Sequence, residues 1–308
     1  MTALLTVLLA CYLLGGLLPL CTTVPHRQNL LAHGFAAAAS VMGIALGLAG
    51  LLATAPLSLS LSSNIPHLTC ALRLDPLAAF FVLTISLVAL PASIYAFGYM
   101  EEFSGRISVG VLGSLLNGFL LSMTLVVLAD NGFFFLILWE IMSLLSYLLV
   151  VTEHEKPGVR EAGLFYLIMT HVGTAFIMLT FLIFAREAAS FSFEAFRHPA
   201  RAIPDGVRSM AFFAALIGFG AKAGIVPLHV WLPYAHPAAP SHISGVMSGV
   251  MIKTAIYGLI RVYFDFMGGE FPWWWGVTIL IAGTVSALLG VMYALMEHDL
   301  KGLLAFHS

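Results

Sequence analysis

Long apolar stretches separated by short polar segments follow one another along almost the whole chain. A membrane-spanning helix needs about 20 predominantly apolar residues. A tenth apolar stretch begins near Leu300 and is cut off at Ser308, so we expect the chain to be a fragment of a longer protein. Before it, the pattern predicts nine spans, near residues 2–20, 30–53, 76–99, 108–129, 133–151, 161–185, 209–232, 243–266 and 273–295.

The segment between the second and third predicted spans has a different periodicity. Leucine alternates with serine over residues 57–61, and a second alternation covers residues 68–74 after a turn at residues 64–66. Patterns of period two on both sides of a turn predict a short β-hairpin. Because an open sheet edge cannot face lipid, we expect this hairpin, at about 57–74, to lie outside the hydrocarbon.

The loop from Arg186 to Arg208 is long enough for a surface helix around Phe191–Phe196, but a solvated connector is the preferred interpretation. Arginines and lysines in the predicted loops divide almost equally between the two sides of the membrane. The positive-inside rule therefore does not set the orientation.

Composition supports the same class of protein. Hydrophobic residues make up 60% of the chain and charged residues 9%, whereas soluble domains carry about 25% charged residues. We therefore predict an all-α polytopic membrane protein. The net charge of -2 argues against nucleic-acid binding.

Motifs for catalysis or for cofactors are absent from the sequence. Its three cysteines, Cys11, Cys21 and Cys70, form no CxxC pair, which argues against a metal knuckle or an iron–sulfur site. No Walker loop, GxGxxG fingerprint or GxSxG nucleophile elbow occurs. We expect no cofactor, no metal, no catalytic residue and no redox centre in this chain.

Three charged residues fall near the middle of predicted spans: Glu140, Lys222 and Lys253. The other charges, including Arg261, fall in loops or near span ends. A charge at the bilayer centre costs about 3 kcal/mol on insertion scales, and such residues usually face the bundle interior and pair with one another. We predict an ion pair between Glu140 and Lys222, in which each favours the charged form of the other. The alternative is a static pair that holds two helices together.

Lys253 has no second acid at membrane depth in the predicted spans. A buried lysine without a partner can take up and release protons near neutral pH. The alternative is that its side chain snorkels to the membrane surface. The distance to either end of its span, about 15 Å for ten helical residues, makes snorkelling difficult.

Pro227 predicts a break in the seventh span, because proline removes a helical hydrogen bond. His229 and His236 flank this break, and His171 lies in the middle of the sixth span. Histidine can relay protons near neutral pH, and the alternative for each is a hydrogen-bonded structural residue. For His242, at the start of the eighth span, a hydrogen-bonded residue, either buried or interfacial, is the preferred interpretation. The histidine spacings match no common zinc pattern.

Five segments resemble a known family. They are LRLDPLAAFF (72–81), LWEIMSLLSYLLV around Glu140, GAKAGIVPLHVWLPYAHPAAPSHIS around Lys222, MIKTAIYGLIR around Lys253 and DLKGLLAFHS at residues 299–308. The family is the set of proton-pumping membrane subunits shared by respiratory complex I, Mrp-type sodium/proton antiporters and group 4 membrane-bound hydrogenases. Within it, the run HPAAPSHISGVMSGVMIK is most similar to the component B branch of hydrogenase-4 and its formate hydrogenlyase relatives.

The resemblance implies an antiporter-like bundle of about fourteen helices with two inverted five-helix repeats, each with a broken helix that carries a key charge. It assigns residues 1–107 to three N-terminal helices with the hairpin, 108–266 to a complete first repeat that translocates protons, and 267–308 to helix nine and the start of a truncated helix ten. Glu140, Lys222 and Lys253 match the family's acid, broken-helix lysine and next-helix lysine. His236 matches a position that is often histidine.

The resemblance also implies a function. We expect a proton-translocating subunit of an energy-converting redox complex, of the hydrogenase-4/formate hydrogenlyase or NADH:quinone oxidoreductase type, in the inner (plasma) membrane. Its expected partners are other membrane subunits and a peripheral hydrogenase or dehydrogenase arm, where electron transfer takes place. The alternatives are an Mrp-type sodium/proton antiporter subunit and a passive membrane anchor for a peripheral enzyme.

Overall fold

The computed structural model describes residues 1–62, 64–65, 67–103, 107–198, 203–268 and 271–308. These residues form α-helices, short 3₁₀ and π segments, and one pair of strands. The strands are β1 (Leu57–Ser62) and β2 (Thr69–Leu74). The helices are α1 (Thr2–Leu17), α2 (Pro25–Leu52), α3 (Pro76–Tyr99), α4 (Val109–Leu128), α5 (Gly132–Val150), α6 (Val159–Ala188), α7 (Phe193–Arg197), α8 (Asp205–Ala223), α9 (Leu232–Ala238), α10 (Ser241–Val246), α11 (Ile252–Ile260), α12 (Trp273–Met296) and α13 (Leu300–His307).

Within the described residues, nine helical segments are long and apolar enough to cross a membrane, which confirms the predicted polytopic all-α fold. We number them as spans 1 to 9. They are Thr2–Cys21, Pro25–Leu52, Pro76–Tyr99, Val109–Leu128, Gly132–Glu153, Val159–Ala188, Asp205–Ala238, Ser241–Phe266 and Trp273–Met296.

Polar side chains begin several of these helices. The carboxylate of Asp75 accepts a hydrogen bond from the Ala78 amide before α3, and Ser108 does the same for α4. Asn131 caps α5 by accepting from the Phe134 amide, so three residues, 129–131, suffice to join spans 4 and 5. Such caps satisfy amides that have no partner inside the helix.

The strands pair where the sequence predicts a hairpin. They run antiparallel, with Leu57 opposite Leu74 and Leu61 opposite Cys70. Pro66, in the predicted turn, lies outside the described residues. The hairpin contacts the connection between spans 4 and 5, where the Asp130 amide donates to the Ala71 carbonyl.

The connection between spans 6 and 7 differs from the solvated connector that the sequence favours. It contains the short helix α7, whose Phe193 and Phe196 side chains are fully buried. Both rings pack against Phe266, at centroid distances of 4.7 and 5.3 Å. The preferred interpretation was wrong because these aromatic rings bury more apolar surface in the bundle than a hydrated loop could.

A network of ion pairs lies at the same end of the bundle as the hairpin. Arg261, which the sequence assigns to the polar ends of the spans, is only 6% exposed. Its guanidinium donates to Asp75 at 2.6 Å and to Asp265 at 2.9 Å, and Arg197 binds Asp265 as well. Burial alone would raise the pKa of the Asp75 carboxyl, but the hydrogen bond and charge of Arg261 outweigh it and hold that pKa below its usual value.

The crossing of α6 and α8 positions the middle of span 7. Gly173 and Gly218 face each other there, and a Cβ on either residue would lie within about 3 Å of the other's carbonyl oxygen. Because neither residue has a side chain, the two backbones approach closely. This contact brings the last turn of α8, which carries Lys222, against the first half of α6.

Candidate functional site

Span 7 is interrupted near its middle. Helix α8 ends at Ala223, and Gly224 closes it in the left-handed conformation, with φ +75°. Pro227 follows, and a 3₁₀ turn at Leu228–Trp231 leads into α9. The Trp231 indole donates to the Ala221 carbonyl at 2.7 Å, which supplies a partner to a carbonyl at the end of the broken helix.

Lys222 lies in the last turn of α8 and is only 2% exposed. Its ammonium donates to the Ser143 hydroxyl at 2.9 Å and to the Tyr166 hydroxyl at 2.7 Å. It also lies 4.8 Å from the centre of the Tyr166 ring, within cation–π range. The carboxyl end of a helix favours a cation, so the break places this lysine where the backbone field stabilises its charge.

The hydroxyl groups around Lys222 were not predicted from the sequence. Ser146 lies 2.5 Å from the Tyr166 hydroxyl, and both side chains are fully buried. Ser143 and Ser146 follow Glu140 in span 5 at intervals of three, so they lie near one helix face. That polar spacing was the available signal, but nothing in the sequence indicated that Tyr166 would face them from α6.

The predicted ion pair between Glu140 and Lys222 is not formed among the described residues, and that prediction was wrong. The Glu140 carboxylate instead lies 3.2 Å from Nε2 of His171, with side chains 35% and 53% exposed. The second oxygen of Glu140 is buried without a partner among these residues. The ammonium of Lys222 binds neutral hydroxyl groups and the carboxylate of Glu140 lies against the histidine on α6, but the two residues remain close enough for the charge of Glu140 to act on Lys222.

Lys253 is half-buried in α11 and pairs with no acid in the described part of the chain. Its ammonium donates to the Ser248 carbonyl at 2.8 Å. That carbonyl lies in a π-helical segment, Met247–Met251, and single π turns inside helices are frequent at functional sites. The Tyr166 hydroxyl lies 3.6 Å from the Met251 sulfur, so Tyr166 contacts both Lys222 and the segment that binds Lys253.

His236 and His229 point to different surroundings. The His236 ring is buried, lies 3.3 Å from the Ser244 hydroxyl through Nδ1, and stacks on Trp231 at 6.2 Å. Trp231 in turn packs on Tyr166 at 4.8 Å. His229 instead lines a cavity of about 360 Å³ with Ser286 and residues of α13. We call Lys222 and its hydroxyl partners, Ser143, Ser146 and Tyr166, the Lys222 cluster. The structure places His236 near this cluster, through Trp231, and places His229 at a separate cavity.

His242 is buried, as the preferred interpretation allows, but in the part of the chain that the structure describes it lacks the hydrogen bond that this interpretation includes. It is 3% exposed, and neither ring nitrogen has a partner among the described residues. The described residues also contain no group of three or more His, Cys, Asp or Glu side chains that could hold a metal ion.

Comparison with known protein families bears on this arrangement. The family described as NADH:quinone oxidoreductase/Mrp antiporter, transmembrane, matches residues 129–308, more than half of the 308 residues. The chain belongs to this family. Residues 61–106, which include β2 and only the end of β1, match the N-terminal part of NADH-ubiquinone oxidoreductase (complex I) chain 5. The resemblance inferred from the sequence is confirmed.

Two curated relatives in the NADH:quinone oxidoreductase/Mrp antiporter family come from Escherichia coli. Hydrogenase-4 component B is 44% identical over 238 residues, which are 77% of this chain and 35% of the relative. Formate hydrogenlyase subunit 3 is 27% identical over 236 residues, which are 77% of this chain and 36% of the relative. The chain thus spans about one third of the length of these two proteins.

A solved structure shows the same architecture. The Mrp complex from Dietzia sp. superposes with a TM-score of 0.82 at 21% identity, over 99% of this chain and 32% of that chain. The predicted antiporter-like bundle with its broken helix is therefore confirmed, and the chain is a multi-pass membrane protein of this family.

Proposed function

We propose that this chain translocates protons as a membrane subunit of an energy-converting redox complex of the hydrogenase-4 type, with residues 108–266 as the translocating repeat. The observation that carries the proposal is the environment of Lys222. An ammonium buried at half depth of a broken helix is bound by hydroxyl groups instead of a carboxylate. Hydroxyl groups can both accept and donate protons, so this lysine has partners for proton transfer as well as for stabilisation.

The first step of the route is transfer between Lys222 and Tyr166. Their polar atoms are 2.7 Å apart, within the distance over which a positioned side chain accepts a proton. The Tyr166 hydroxyl contacts Ser146 on its other side. As the Tyr166 hydroxyl takes a proton from Lys222, it passes its own proton to Ser146, so the tyrosine stays neutral and Lys222 is left as the free amine. The ring of Tyr166 stays packed on Trp231 throughout.

The second step leads toward Lys253. Tyr166 contacts the π-helical segment before this lysine, and His236 lies on the far side of Trp231. Lys253 has a carbonyl as its hydrogen-bond partner, and a carbonyl accepts a hydrogen bond without taking up the proton. Lys253 is thus suited to receive a proton from the cluster and to pass it on.

Glu140 and His171 support the proposal that other membrane subunits are the partners. Both residues lie mid-span, and both side chains are partly exposed at the side of the bundle. Ionisable groups at this depth almost always face protein or a water-filled cavity. A neighbouring membrane subunit would cover the Glu140–His171 pair. Movement of that neighbour would change the charge interaction between Glu140 and the Lys222 cluster.

The names of two relatives support a peripheral hydrogenase arm as a partner. Hydrogenase-4 component B and formate hydrogenlyase subunit 3 belong by name to hydrogen-metabolising complexes. We therefore propose a peripheral hydrogenase arm that carries the electron-transfer chemistry, and a location in the inner (plasma) membrane.

The test is Lys222→Met in the full-length protein within its complex, reconstituted in vesicles. We expect redox-driven proton uptake to be abolished while the complex assembles normally. The matched control is Lys156→Met, which removes an exposed lysine that pairs with Glu153 outside the bundle core. Proton uptake that is equal in the two variants would reject the proposal.

The same vesicles distinguish the alternatives. Proton movement that requires sodium or potassium would identify a cation/proton antiporter subunit of the Mrp type. Loss of assembly in Glu140→Gln, with ion movement intact in the complexes that do form, would identify a passive anchor.

A further inference from the structure

Two buried histidines face each other where α2 meets the start of span 8. His33, in α2, is 1% exposed, and His242, at the start of α10, is 3% exposed. Their ring centroids are 5.9 Å apart, and the rings meet edge to face at 88°. All four ring nitrogens are buried, and none has a hydrogen-bond partner among the described residues.

This lack of partners is energetically unusual. A buried polar atom without a partner destabilises the fold, and neutral imidazole has one donor and one acceptor that each need a partner. An aromatic neighbour, the partly buried Phe97, already packs edge to face against the His33 ring at a centroid distance of 6.0 Å. A phenylalanine would occupy either histidine position without this cost. Bound water is the usual partner of buried polar atoms of this kind.

A surface cavity lies one helical turn before His33 along α2. It has a volume of about 290 Å³ and opens where span 2 begins and span 3 ends, with His26, Asn29 and Glu101 among its lining residues. Asn29 donates to the Phe97 carbonyl, while its own side-chain oxygen is buried without a partner among the described residues. His33 follows Asn29 by four residues, so the two side chains lie on one face of α2, one turn apart.

A third buried histidine lies on α9, the helix that precedes α10. His236, on the neighbouring half-helix α9, is the next buried imidazole, and its Nε2 likewise has no partner among the described residues. Its Nδ1 contacts Ser244, on the same short helix as His242. Unpartnered polar atoms therefore occur at the surface cavity in Asn29, at the His33–His242 pair, and again at His236 beside Trp231.

We propose that Asn29, His33 and His242 form a hydrated proton-access route between this membrane face and His236. This proposal rests on the proposed function, because the route would connect the Lys222 cluster to water at the membrane face. The ligand is a short chain of water molecules. Tyr99, whose ring packs on His242 at 5.4 Å, and Lys301, which donates to the Ala239 carbonyl beside the pair, are the other titratable groups nearby.

The first test measures hydration directly in the native complex. Deuterium exchange at the carbon between the two imidazole nitrogens requires access of water to the ring, and mass spectrometry reads it for each histidine. We expect His33 and His242 to exchange at rates comparable with the exposed His198. Protection of both rings over the whole time course would overturn the proposal.

The second test measures proton uptake. The variant His33→Phe/His242→Phe removes the ring nitrogens and keeps ring-sized side chains, and we expect uptake to slow by about 10-fold or more, since positioned proton-transfer groups contribute about 10²–10⁴-fold. His33→Asn/His242→Asn retains polar atoms that can bind water, and we expect it to restore part of the rate. The control is His198→Phe at the opposite membrane face.

The outcomes separate this proposal from the proposed function. If Lys222→Met abolishes uptake and the double phenylalanine variant pumps at the control rate, the access route is rejected and the function stands. If Lys222→Met leaves uptake unchanged, the function and the access route fail together. If the double phenylalanine variant does not assemble, the exchange rates in the native complex decide the question alone.

Discussion

Tyr166→Phe tests the mechanism most directly, because it removes one oxygen atom and little else. The phenylalanine ring can keep its packing on Trp231, where the ring centroids are 4.8 Å apart in the present structure. It can also keep its position beside Lys222, whose ammonium nitrogen lies 4.8 Å from the Tyr166 ring centre. What is lost is the hydroxyl that lies 2.7 Å from Nζ of Lys222 and contacts Ser146. Lys222 then retains only Ser143 of its two hydroxyl partners.

The size of the effect follows from the lost interaction. Hydrogen bonds to charged groups contribute about 1.5–3 kcal/mol. Because about 1.4 kcal/mol corresponds to a tenfold change in rate, we expect proton transfer to slow by about 10- to 100-fold. The assay is redox-driven proton uptake in vesicles, normalised to electron transfer, so that a change in the peripheral enzyme does not mimic a change in the membrane subunit.

The matched control is Tyr263→Phe. Its hydroxyl is also buried and donates to the Phe212 carbonyl at 3.2 Å, but it lies near the far end of span 8, away from Lys222. If Tyr166→Phe pumps as fast as Tyr263→Phe, the tyrosine hydroxyl is a structural contact and the hydroxyl chain does not carry the proton.

Two further predictions concern the scaffold that holds the site. Asp75→Asn leaves the buried Arg261 with one carboxylate partner, Asp265, instead of two. We expect the free energy of unfolding to fall by about 2 kcal/mol, less than the 3–5 kcal/mol for complete removal of a buried partner, and we would measure this as a lower Tm in detergent. Because the pKa of Asp75 is depressed in the folded state, this residue stabilises the fold above about pH 4, its unfolded pKa, and the contribution is lost as the pH falls through the folded pKa. The acid-induced fall in Tm should therefore be shallower in Asp75→Asn than in the unmodified protein. An unchanged pH profile, or the same change in the exposed Asp205→Asn, would contradict this. Gly224→Ala forces a side chain into the left-handed conformation at φ +75°, which costs about 1–2 kcal/mol, so we expect a lower Tm and slower proton uptake. The control Gly206→Ala adds a side chain in open space outside the left-handed region and should change neither quantity. Equal effects of the two substitutions would show that the break tolerates a side chain.

Sequence patterns located the main elements and several of the chemically important residues. The nine spans, the strands around residues 57–74 and the interruption near Pro227 all follow from apolar length, alternation and proline placement. Lys222 and Lys253 stood out because a charge inside an apolar stretch is rare and costly. On sequence alone, the helix α7 was only the less favoured alternative to a solvated connector, because the burial of Phe193 and Phe196 depends on partners from distant parts of the chain.

The sequence by itself determined that this chain crosses the membrane many times and that Glu140, Lys222 and Lys253 lie at membrane depth, because hydrophobicity and span length are local properties. Only the tertiary structure decided the partners of those charges. It placed Tyr166 and two serines on Lys222, gave Glu140 to His171, buried Arg261 among acids, and set His33 against His242. These pairings depend on how helices rotate and cross, as at the contact between Gly173 and Gly218, and side chains from distant segments meet only after that packing is fixed.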